Sequence, residues 1–133
     1  MKVEKIWFNG EKIFILTDDG RELWQSLLWY PRLLNASPEQ RQNNEIDNSG
    51  IRWEDMDEDM SLESFLYDDP EPVGVAGIFR KHPELNVSAI ARRLGMKQSL
   101  LAAYISGNKK PSKEREKEII NVVKQVGREL IET

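Results

Sequence analysis

The side chains best equipped for chemistry in this 133-residue chain fall in one stretch, from Asn86 to Lys113. They are Asn86, Lys97, Gln98, Ser99, Asn108, Lys109, Lys110 and Lys113. Amides, a hydroxyl and ammonium groups do recognition rather than bond breaking: a Gln amide can form two hydrogen bonds with an adenine edge, a Ser hydroxyl can approach several bases, and flexible Lys stems suit phosphates. Reaction chemistry has little to work with. There is no Cys, which excludes disulfides, thiolate zinc sites and cysteine nucleophiles, and His82 is the single His. No nucleophile elbow, phosphate loop or metal-binding His cluster occurs in the sequence. Carboxylates are abundant, but nothing sets an acid–base pair apart from ordinary surface charge. Neither an enzyme nor a cofactor is expected.

Two short helices must position these groups. Apolar Ile90, Leu94, Met96, Leu101 and Tyr104 can close into one small core across a turn at Gly95, and small Ala91 sits where the helices pass closely. This is the layout of a helix-turn-helix, whose second helix is presented to the DNA major groove. With Asn86 before the first helix, then Ala91, Gly95, Ser99, Gly107 and Pro111, the stretch NVSAIARRLGMKQSLLAAYISGNKKP resembles the helix-turn-helix of phage-repressor domains, Cro and lambda repressor. The resemblance implies that Gln98 and Ser99, first in the second helix, read bases, with Lys97 beside them as a phosphate partner. Asn86 can cap the first helix and aim its positive end at a phosphate. Asn108, Lys109, Lys110 and Lys113 follow where a loop would run along the DNA backbone. The stretch departs from the strong pattern at Ala102 and Ala103, where longer polar side chains usually extend the reading surface. Reading then spans few base pairs, with help from DNA shape. The competing reading is a helical domain with the same packing that binds protein.

Charge agrees with a polyanion partner. The net charge of −4 hides a division: residues 1 to 70 hold seven Lys and Arg against sixteen Asp and Glu, residues 71 to 133 twelve against seven. Between Val75 and Lys113, eight basic residues oppose Glu84 alone. Local field rather than overall charge meets a phosphate backbone. No apolar run reaches the ~20 residues that span a bilayer, and the opening MKVEKIWFNG lacks the apolar core of a signal peptide. A cytoplasmic protein with no membrane partner is the expectation.

The first half alternates with a period of two, which suits half-buried strands. Three antiparallel strands are predicted, Val3 to Phe8, Lys12 to Thr17 and Arg21 to Ser26, with turns at Asn9-Gly10 and Asp18-Asp19-Gly20. Leu27, Leu28, Trp29, Tyr30, Leu33 and Leu34 supply an apolar cluster to cover the sheet, and Pro31 suits the first turn of a short helix. Ser37, Pro38 and Gln40 mark a second helix by a capping box. A small hairpin is predicted around Asn48-Ser49-Gly50, then an acidic turn, then a helix capped by Ser61 and stopped by Asp68, Asp69, Pro70, Glu71 and Pro72. Asp55, Asp57 and Asp59 have the spacing of the first ligands of a calcium loop, but Met60 stands where that loop needs Gly and Leu66 where it needs Glu. No metal site is expected, and the acidic run reads as a solvated turn. Trp7, Trp24, Trp29 and Trp53 read as core.

The strand pair around the Asp-Asp-Gly turn, the Pro-containing cluster and the closing GIRWEDMDEDMSLESFLYD resemble the small bacterial family catalogued as domain of unknown function 2442, over Met1 to Asp69. The resemblance implies a fold and a bacterial origin, not a reaction; some members accompany helix-turn-helix domains or lie in toxin–antitoxin settings. The expected architecture is α+β: a mixed domain with a small antiparallel sheet over residues 1–69, a Pro-rich linker over 70–74, and an all-α lambda-repressor-like domain over 75–133. After a helix stopped by Pro83 and the helix pair, a long helix is predicted from Ser112 onward, with Ile119, Val122, Val123, Val126 and Leu130 along one face. Doubled apolar positions leave surface for a second subunit. The expected function is DNA-binding transcriptional regulation, on double-stranded DNA and as a homodimer, with the first domain binding a partner or sensing. The alternative is an antitoxin-like module that holds a toxin protein and in which DNA binding is secondary or absent.

Overall fold

Alternation governs the amino-terminal sheet. In a computed structural model, which describes residues 1–67 and 69–133, β1 (Val3–Asn9), β2 (Lys12–Thr17) and β3 (Glu22–Ser26) form an antiparallel meander in the order β1-β2-β3. Asp68, predicted to help stop the last helix of the first domain, lies outside the described residues. The chain divides into two units, Met1–Glu71 and Pro72–Thr133. Ile13, Ile15 and Thr17 of β2 point to the buried face. Asn9 pairs with Lys12, so the first turn is Gly10-Glu11 rather than Asn9-Gly10. Only Gly10 has a positive φ there (61°), which needs no Asn at the preceding position.

The cover for this sheet comes from the next segment. Leu27 begins a 3-10 turn (Leu27–Trp29), and Pro31 takes the first position of α1 (Pro31–Leu34), where its missing N–H costs nothing. In α2 (Pro38–Gln42) both halves of the capping box form: Ser37 Oγ accepts from the Gln40 N–H at 3.1 Å and Gln40 Oε1 from the Ser37 N–H at 2.8 Å. A second meander follows, β4 (Glu45–Ile46), β5 (Gly50–Trp53) and β6 (Glu58–Ser61). Ile13, Ile15, Leu27, Leu33, Ile51, Trp53, Met60 and Phe65 form one core cluster, so both sheets feed it. Its buried polar groups are matched. Gln25 donates to Ser64 Oγ at 2.7 Å and accepts from the Tyr30 hydroxyl at 2.9 Å; the Trp53 indole donates to the Arg41 carbonyl at 2.9 Å.

The acidic run is an exposed turn, as its composition predicts, only over its first part. After a 3-10 turn (Glu54–Met56) it becomes β6, with Met60 packed inward opposite Ile51. The β5–β6 ladder and buried Met60 hold it, and exposed charge pairs line it. Arg52 on β5 bonds Asp59 at 2.7 Å, Asp57 at 2.8 Å and Glu54 at 3.1 Å, while Asp55 accepts from Asn43 at 2.5 Å. These contacts leave the spaced aspartates facing an arginine and an amide rather than a common centre. Gly50 allows β5 to approach β6, since a Cβ there would lie 2.0 Å from the Met60 carbonyl oxygen. The predicted last helix is only a 3-10 turn (Glu63–Leu66) with Leu62, not Ser61, at its cap position; Ser61 Oγ accepts from the Ser64 N–H at 3.1 Å.

The second unit is helical: α3 (Gly74–Lys81), α4 (Val87–Leu94), α5 (Gln98–Ser106) and α6 (Lys113–Glu132). Its core is Val75, Phe79, Ile90, Ala91, Leu101 and Ile119, with Leu94, Met96, Tyr104, Val122 and Val123 packed around it. Toward the end of α6, Leu130 and Ile131 are 72% and 87% exposed, so the apolar stripe outlasts the core it covers. Among the described residues no helix is long and apolar enough to cross a membrane.

Candidate nucleic-acid interface

The predicted site residues are placed by the ends of three helices. Asn86 stands before α4 with its side-chain oxygen accepting the Ala89 N–H at 3.0 Å and the Ser88 hydroxyl at 2.9 Å, a cap that fixes where the helix begins. Gly95 ends α4 in the left-handed conformation (φ 67°), which a Cβ would strain, and the Met96 N–H returns to the Ala91 carbonyl at 3.0 Å. The chain therefore reverses within two residues and reaches Lys97. Lys97 occupies the cap position of α5, where its ammonium group has no acceptor to offer the helix N–H groups, and it is exposed. Gln98 and Ser99 form the first turn of α5, and both are exposed.

The remaining predicted residues lie at the other end of α5. Gly107 closes the helix, and the Lys109 N–H bonds the Ala103 carbonyl at 3.2 Å, folding the loop of Asn108, Lys109 and Lys110 back on the last turn. Ser112 caps α6 by accepting from the Arg115 N–H at 3.2 Å, so Lys113 begins that helix exposed. α5 thus separates the two groups: nine residues at 1.5 Å each place its ends about 13 Å apart. Lys97, Lys109 and Lys113 make no ion pair with any described residue.

The face of α5 between those groups is made by Gln98, Ser99, Ala102 and Ser106, all exposed and spaced along one side of the helix. Past its first turn this face offers only a methyl group and a small hydroxyl. The hydroxyl is occupied, because Ser106 Oγ donates to the Ala103 carbonyl at 3.1 Å.

Two arginines that add to the basic count are committed to the fold. Arg80 donates to the Ile105 carbonyl at 3.1 Å, and burial pulls its pKa down. Arg93 makes a two-pronged contact with Glu129, 2.7 and 3.2 Å, joining α4 to α6. That contact raises the arginine's pKa and lowers the carboxylate's. Arg92, by contrast, is exposed in the last turn of α4 beside the Gly95 reversal and was not among the predicted site residues. Its charge was legible; its side of the helix was not, because neighbouring Arg93 has the same chemistry and a different role.

Comparison with known proteins bears on the first unit. A family model described as a protein of unknown function (DUF2442) matches residues 3–71. No curated protein and no solved structure matches the chain.

Proposed function

The chain belongs to the DUF2442 family through residues 3–71, and we propose that its second unit is a lambda-repressor-like helix-turn-helix that binds double-stranded DNA, making the whole a transcriptional regulator whose first unit binds a partner or senses. The observation that carries this reading is the disposition of α5. Its exposed face starts with Gln98 and Ser99, while Lys97 at one end and Lys109 and Lys113 at the other stand clear of any ion pair with described residues. Cations flanking a short helix whose exposed first turn is polar suit phosphate contacts that position the helix and amide contacts that read bases. Asn86 at the start of α4 adds a helix end suited to a phosphate. The small side chains past Ser99 limit direct reading, so specificity comes from a second half-site on a homodimer or from DNA shape.

Binding to genomic DNA fragments across a salt series tests this. Wild type should bind with a steep salt dependence. Gln98→Ala should cost about 1–3 kcal/mol and relax the preferred sequence, whereas Lys109→Ala/Lys110→Ala should weaken all sequences and flatten the salt slope. Absence of salt-dependent binding would remove the DNA reading. One observation favours a second reading, a toxin-binding antitoxin: the smooth surface at Ala102 suits a protein better than a row of base edges. A small basic toxin-like reading frame beside the gene would favour it.

A further inference from the structure

The outer face of the first sheet is built in rows that pair with themselves. Trp7 on β1 lies opposite Phe14 on β2, and Phe14 opposite Trp24 on β3. The Trp7 and Phe14 rings stack with centroids 5.6 Å apart and planes 7° from parallel. All three rings are partly exposed and none belongs to the core cluster, although tryptophans in this half were expected inside. The next row reads Lys5, Leu16, Glu22.

We propose that this face docks on the same face of a second copy of the chain, about a two-fold axis running along β2. The aromatic row reads Trp-Phe-Trp from either edge. Rotation about the β2 direction exchanges β1 with β3, laying Trp7 on Trp24 of the second copy and Phe14 on Phe14. The same rotation sets Lys5 over Glu22 of the second copy and Glu22 over its Lys5, so opposite charges meet twice. A face that becomes complementary to itself on a half-turn is what an isologous dimer requires. Lys12 sits on β2 near the axis with its ammonium group over the Trp24 ring, 4.3 Å from the centre, and Lys5 lies 5.8 Å over Trp7, so docking has to move both cations off the rings they cover.

Charge selects this occupant over a nucleic acid stacked on the rings. Residues 1–71 carry seven Lys and Arg against seventeen Asp and Glu, a field that opposes a polyanion. The footprint is about 14 Å by 20 Å from strand spacing and rise, small beside the ~800 Å² each partner gives to a standard interface. Association is therefore expected to be weak and concentration-dependent. It does not rest on the DNA reading, and it would supply the two copies which that reading calls for.

The test is sedimentation of the full chain without DNA, from micromolar to millimolar concentration, with tryptophan fluorescence recorded alongside. Wild type should pass from monomer to dimer. Phe14→Glu, at the axis, should raise the dissociation constant at least about tenfold. Lys5→Glu should weaken the dimer, and Lys5→Glu combined with Glu22→Lys should recover it, an outcome that a misfolded variant could not produce. A monomer at every concentration overturns the proposal. So does a dimer indifferent to Phe14→Glu but lost in Leu130→Ser/Ile131→Ser, which would place the contact on α6. Quenching of the tryptophans by oligothymidine with no dimer would overturn it in favour of a nucleic-acid surface.

Discussion

The two units differ in how completely they commit their arginines. In the first, all four arginines are engaged: Arg21 with Asp19, Arg32 with the Met56 and Asp57 carbonyls, Arg41 with the Leu33 and Leu34 carbonyls, Arg52 with three carboxylates. Short strands and 3-10 turns leave carbonyls and loops that a guanidinium can tie together. In the second, Arg80, Arg93 and Arg115 are engaged with the Ile105 carbonyl, Glu129 and Glu118, whereas Arg92, Lys97, Lys109 and Lys113 make no ion pair with any described residue. The contrast teaches that short strands and 3-10 turns draw in every guanidinium of the first unit, while helices leave part of the basic charge of the second outside its fold. Net charge alone would assign the acidic unit no role for its arginines and the basic unit too many.

The strongest way to break this comparison is to damage one core and watch the other. All four tryptophans lie in the first unit, so their fluorescence reports its unfolding while far-UV ellipticity is weighted to the helices of the second. Trp53→Ala should cost the first unit about 3–5 kcal/mol, and Ile119→Ala the second about 2–5 kcal/mol, since both side chains are fully buried. Each variant should lower the transition of its own unit; a common shift of both would show one cooperative body. A smaller effect sharpens the role of the α4–α5 reversal. Gly95→Ala should destabilise the second unit by about 1–2 kcal/mol through backbone strain alone, because the space around its Cβ is empty. Denaturant unfolding followed by ellipticity measures it, and DNA affinity should fall only where the second unit is partly unfolded.

The smallest effect concerns the second unit's own ion pair. Hydrogen bonds from Arg93, opposed by some desolvation, hold Glu129 below the ordinary carboxylate value of 4.5. A lowered folded-state value contributes stability that is complete above the ordinary value and is lost as pH falls through the depressed one. Hydrogen exchange in the last two turns of α6 should therefore speed up on acidification relative to the rest of the helix, and in Glu129→Gln that acid-specific change should disappear. Exposure keeps the effect slight.

Much of both units was readable in the sequence, for identifiable reasons. Strands β1 to β3 announced themselves by alternation, α2 by the Ser37 and Gln40 capping box, and α6 by its stripe. The strand β6 did not, because a two-sided ribbon of Glu58, Asp59, Met60 and Ser61 has only Met60 to mark its buried side. Its charged partner, Arg52, lies seven residues from Asp59, and nothing local marks that pairing. The aromatic row was misread for a related reason: period two shows that Trp7 and Ile6 face opposite ways, not which side the rest of the chain will cover. In the predicted site, the positions of Asn86, Lys97, Gln98 and Ser99 followed from local caps and turns. The commitment of Arg93 to Glu129, 36 residues away, could not.

The meander order of both sheets has a kinetic consequence. Every strand pairs only with its neighbour in the chain, so each hairpin can zip as soon as its own residues are available, without waiting for a distant partner. Bonds of longer reach tie the first unit together, among them Arg32 to the Met56 and Asp57 carbonyls, Gln25 to Ser64 and the Ser26 N–H to the Pro70 carbonyl. During synthesis the hairpins would therefore form early and remain unlatched. The last residues of the family domain to emerge, around Ser64 and Pro70, would be the ones that lock β3 in place.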